Sequence, residues 1–91
     1  MNKGELNKIY IEIEDLLKKK NEMYGDENII KIGKEGIIIR ITEKLERLKY
    51  LLKNNKNPQC KPIEDSWKDI AGYSIIELML ERNKLKEEPI D

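Results

Sequence analysis

Apolar residues recur in this chain at steps of three and four, in blocks that glycine, asparagine and proline keep apart. Leu6, Ile9, Ile13, Leu16 and Leu17 form the first stripe. Ile38, Ile41, Leu45, Leu48 and Leu52 form the second, and Trp67, Ile70, Ala71, Ser74 and Leu78 the third. Steps of this size put side chains on one face of an α-helix, so each block has a face to bury. The spacing predicts helices over about 5–23, 36–53 and 63–84. Gly25 stops the first, and Pro62 with Glu64 and Asp65 suits the start of the third. The third block carries a second apolar row, Tyr73, Ile76 and Leu80. A helix apolar on two faces packs on a neighbour and on something else.

The expected fold class is therefore all-α. We read a single domain over 1–91: a small three-helix bundle, with room for one short extra helix. The loops fall at 24–35 and 54–62. The stretch 26–36 is ambiguous, because β-branched Ile29 to Ile32 and Ile37 to Ile41 also suit a hairpin around Gly33 to Gly36. Residues 87–91 read as a frayed tail. A chain of 91 residues buries only about 60–65% of its unfolded surface, so a homo-oligomer is expected to help stabilise it.

Charge excludes several classes. Lysine plus arginine equals aspartate plus glutamate at 18 each, and Lys18 to Lys20 is a short run preceded by Glu12, Glu14 and Asp15. Nucleic-acid binding normally needs a basic stripe, which this is not. There is no histidine and one cysteine, Cys60, so neither an internal disulfide nor a conventional zinc site is available. No cofactor is firmly implied. Any metal would be hard and oxygen-bound, such as magnesium. No apolar run approaches a membrane span and the start of the chain is polar, so a cytoplasmic protein without membrane contact is expected.

Polar residues at helical spacing carry the chemistry. Lys44 and Arg47 lie one turn apart on the second predicted helix, Asp65 and Asp69 one turn apart on the third, with Tyr73 a turn further. Arginine suits bidentate contact with phosphate, and lysine supplies a point charge. Two neighbouring carboxylates repel unless a cation lies between them, which a metal or a lysine can provide. Glu43 and Glu46 form an E-x-x-E on the second helix. With Asp65 and Asp69 they make the acid set of a possible magnesium site. The same residues also suit plain inter-helix ion pairs. Tyr24 can stack a ring or simply close the first helix. Gly72, inside a helix, marks a close approach or room for a ligand.

Three segments carry a resemblance: Lys20-Asn21-Glu22-Met23-Tyr24-Gly25, Glu43-Lys44-Leu45-Glu46-Arg47-Leu48, and Glu64-Asp65-Ser66-Trp67-Lys68-Asp69-Ile70-Ala71-Gly72-Tyr73. In order and approximate spacing the chain resembles the nucleotide modification associated domain type 1 family, small helical proteins of phages and prophages, over about residues 5–80. More distantly it is similar to the all-α nucleotide pyrophosphohydrolases, which pair E-x-x-E with E-x-x-D. Here Trp67 stands where the last acid would be.

The resemblance implies a nucleotide or nucleotide-derived ligand, held by Lys20, Tyr24, Lys44, Arg47, Asp65, Asp69 and Tyr73. We expect a phage-type, anti-defence protein that binds or sequesters a signalling nucleotide. The alternative is a magnesium-dependent nucleotide pyrophosphohydrolase using Glu43, Glu46, Asp65 and Asp69. A third reading is a helical interaction module without a small ligand. That reading requires Lys44, Arg47, Asp65 and Asp69 to satisfy one another with no cavity beside them.

Overall fold

The computed structural model describes residues 1–54 and 60–86. These form two helical elements, α1 (Lys3–Asn54) and α2 (Cys60–Glu81), and no strand among the described residues. The expected count of three helices is corrected accordingly. Residues 24–35, read as a loop, belong to α1, and the alternative hairpin is not formed. Glu27, Lys31, Lys34 and Glu35 supply helix-favouring residues around the isoleucines, and the breaks in helical geometry fall at glycine.

α1 is not straight. Gly25 (φ 73, ψ 161) and Gly33 (φ 65, ψ −179) leave helical geometry in a region that only glycine occupies cheaply. A straight helix of 52 residues would be about 78 Å long, whereas the longest dimension of the molecule is 55 Å. The ion pairs show the course. Lys20 and Lys44 both reach Asp69, at 3.3 and 3.0 Å, although a straight helix would hold them about 36 Å apart. The chain therefore doubles back between the two glycines, and α1 has a first arm (3–24) and a second arm (34–54). Lys34 pairs with Glu81 and Lys44 with Asp69, so α2 runs antiparallel to the second arm. Lys68 pairs with Glu12, Gly72 approaches Leu17 and Tyr73 meets Lys20, so α2 runs parallel to the first arm.

Caps define the ends. Asn2 Oδ1 accepts from the Glu5 amide at 3.1 Å, satisfying one orphan donor of α1. Pro62 lies in the first turn of α2, where its missing N–H costs no helical bond, so the helix begins at Cys60 and not at 63. Residues 55–59 of the expected loop, and the tail 87–91, lie outside the described residues. At the other end Asn83 adopts φ 55. The Lys84 amide donates to the Met79 carbonyl and the Asn83 amide to that of Leu80. This pair of bonds is the Schellman closure, and it stops α2 at Glu81, short of the expected Lys84.

Among the described residues four apolar side chains are buried: Ile13, Ile37, Leu48 and Ile76. Gly72 is buried beside them, and a Cβ there would stand 3.3 Å from Leu17 Cδ2, so its lack of a side chain sets how closely the first arm approaches α2. The inner face of the second arm is Ile37, Ile41, Lys44, Leu48 and Leu51. The expected stripe is thus rotated: Ile38, Leu45 and Leu52 are exposed. Doublets such as Ile37-Ile38 and Leu51-Leu52 offer two nearly equal apolar phases, and the pairing of Lys44 with Asp69 accompanies the observed one. Among the described residues no helix is long and apolar enough to cross a membrane.

Candidate functional site

A groove of about 420 Å³ opens between the second arm and the start of α2. Lys44 and Arg47 line one wall; Lys61, Pro62, Asp65, Ser66 and Asp69 line the other. Helical spacing explains the arrangement. Residues 44 and 47 sit one turn apart on the second arm, while 62, 65, 66 and 69 recur at three and four on α2.

Asp69 is the charge centre at the floor. Its carboxylate is 18% exposed and meets Lys44 Nζ through Oδ2 and Lys20 Nζ through Oδ1. Burial acts to raise its pKa, but hydrogen bonds and charge from Lys44 and Lys20 outweigh that, and the carboxyl is held below the usual aspartate range. The Lys20 ammonium also lies 4.4 Å from the centre of the Tyr73 ring, a cation–π contact that fixes it over the half-buried tyrosine. One carboxylate thus joins both arms of α1 to α2.

Around this centre the groove keeps uncommitted charge. Arg47 and Lys61 are exposed and make no ion pair among the described residues; nor does Asp65. Ser66 is buried and its Oγ donates to the Pro62 carbonyl at 2.9 Å. With Asp69 already neutralised by two lysines, Arg47 and Lys61 leave the groove with an excess of positive charge.

The structure therefore brings together Lys44, Arg47, Asp65 and Asp69 in the groove, with Lys20 and Tyr73 directly behind Asp69. It does not bring Tyr24 there. That side chain is exposed next to the break at Gly25, and its carbonyl accepts a hydrogen bond from Asn28. Glu43 is exposed, Glu46 pairs with Lys49 at 3.2 Å, and neither lines the groove. Among the described residues no group of three or more acids or cysteines gathers as a metal site would require. Lys61 and Ser66 join the groove although the sequence reading passed over them. The signal for Lys61 was its place just before Pro62; the signal for Ser66 was its spacing of three from Asp69. No family model matches the chain, and no curated protein or solved structure matches it.

Proposed function

We propose that this groove binds a small phosphate-bearing molecule, a nucleotide or nucleotide-derived compound, and holds it without cleaving it. The observation that carries this reading is the convergence of Lys44, Arg47 and Lys61 on one groove while the nearby acid, Asp69, is already neutralised. Arg47 offers a planar fork to phosphate oxygens, and Lys61 adds a point charge opposite it. Asp65, unpaired among the described residues, is placed to accept from ribose hydroxyls or a base amino group. A volume of about 420 Å³ falls in the range of small-molecule sites. The nucleotide class comes from the resemblance described in the sequence; the charge requirement comes from the groove.

Binding is favoured over magnesium-dependent hydrolysis because the acid set needed for hydrolysis is split. Glu46 is engaged with Lys49 on the outside of the second arm, away from Asp65 and Asp69. The reading without a ligand is weakened by Arg47, Lys61 and Asp65, which satisfy no partner among the described residues beside an open groove.

Purified protein mixed with a panel of triphosphates and cyclic nucleotides, with magnesium present, tests the proposal. Chromatography before and after heat denaturation should show one ligand leaving solution and returning intact. Arg47→Ala should weaken that binding about 10- to 100-fold, the range expected for loss of a charged hydrogen-bond pair. Conversion to monophosphate and pyrophosphate, or unchanged affinity in Arg47→Ala, overturns it.

A further inference from the structure

The outer face of α2 is apolar and uncovered. Trp67 and Leu78 are each 54% exposed, Ser74 is exposed and Ala71 half-buried between them. Steps of four, three and four align them in one row along the helix. The first arm does not reach this row, because it packs on the opposite side of α2, where Gly72 meets Leu17 and Asp69 meets Lys20.

We infer that this face is covered by a second copy of the same chain, with the two α2 helices antiparallel about a two-fold axis between residues 72 and 73. Two observations choose this occupant. The first is the symmetry of the row. In an isologous contact each residue meets the one that reflects it across the axis. Here Trp67 of one copy meets Leu78 of the other, and Ala71 meets Ser74, so bulky side chains close the ends and small ones allow the helices to approach at the middle.

The second is charge. Glu64 and Arg82 edge the row at its two ends, are exposed, and make no ion pair among the described residues. The same axis brings Glu64 of each copy to the level of position 81 of the other, one residue short of Arg82 on the same edge of the helix, giving two opposite-charge pairs at the rim.

Sedimentation equilibrium of the full chain between about 1 and 100 μM tests the inference. The expected mass is twice that of the chain, and the emission of Trp67, the single tryptophan, should shift to the blue as concentration rises. Ala71→Arg should give a monomer across that range while retaining the helical circular dichroism of the parent. Glu64→Arg and Arg82→Glu should each weaken association about tenfold, and the two combined should restore it. A monomeric parent at 100 μM, an unchanged mass in Ala71→Arg, or failure of the combined charge reversal to restore association overturns the proposal. If the first variant unfolds, the charge pair alone decides.

Discussion

Asp69 is the residue on which most of the packed polar chemistry depends. Replacing it with asparagine leaves Lys20 and Lys44 partly buried without their anion. We expect Asp69→Asn to cost about 2 kcal/mol in urea denaturation, the order found when a partly buried charge loses its partner. Its pH dependence has a definite sign. The folded carboxyl is more acidic than the unfolded one, so its contribution is present above the ordinary aspartate range and disappears as pH falls through the folded value. The acid limb of the stability curve should therefore be shallower in the variant, measured by thermal melts below about pH 4. Glu77 behaves oppositely. One of its carboxyl oxygens is occluded without a hydrogen-bond partner. Burial, then the hydrogen bond and charge of Glu81, push its pKa up. The folded state holds that proton more tightly than the unfolded chain, so the benefit exists in acid and is lost as pH rises through the folded value. Glu77→Gln should raise the melting temperature at pH 7 and have little effect at pH 3; an unchanged melt at pH 7 would show that the occluded oxygen carries no penalty.

At the scale of elements, two backbone positions decide the architecture. Gly33 has no atom within 4 Å of where a Cβ would lie, so a side chain there meets no obstacle. Its positive φ with extended ψ is nevertheless strained for any other residue. Gly33→Ala should cost about 1–3 kcal/mol by denaturant titration despite the open space; a stabilised variant would mean that the turn is re-formed as continuous helix. The amphipathic blocks and the stop at Gly25 were legible because period and glycine chemistry are local. The second break, at Gly33, was lost inside a stretch whose isoleucines argue equally for strand. The rotation of the second arm was not legible either, since Ile37-Ile38-Ile39 carries no phase of its own. The end of α2 depended on Asn83 taking a left-handed conformation, which asparagine tolerates but does not announce. For the groove, residue types and helical steps suggested which charges share a face. Which of them are neutralised and which remain available is a tertiary fact, set by Lys20 arriving from the other arm.

For the whole molecule, the notable quantity is how little lies inside. Among the described residues, four buried apolar side chains and one shared carboxylate hold the two arms of α1 and α2 together, which is a small core for a chain of this length. A bound anion should therefore register strongly as stability. At a ligand concentration 100 times its dissociation constant the gain is about 2.7 kcal/mol, read as a shift of the urea midpoint. Arg47→Ala should lose that shift at the same ligand concentration and keep the midpoint of the unliganded parent, because Arg47 packs against nothing in the core.

Under the proposed function Lys44 would face two anions, Asp69 and the ligand's phosphate, whereas Lys20 touches only Asp69. Whatever strengthens the hold of Lys20 on Asp69 frees Lys44 for the groove, and whatever removes it makes Lys44 the sole counter-ion. Lys20→Met should thus lower anion affinity from outside the groove. By thermodynamic reciprocity, occupancy of the groove should tighten the seating of the first arm and slow amide exchange around residue 20. Affinity and arm docking are two readings of a single competition for one ammonium group.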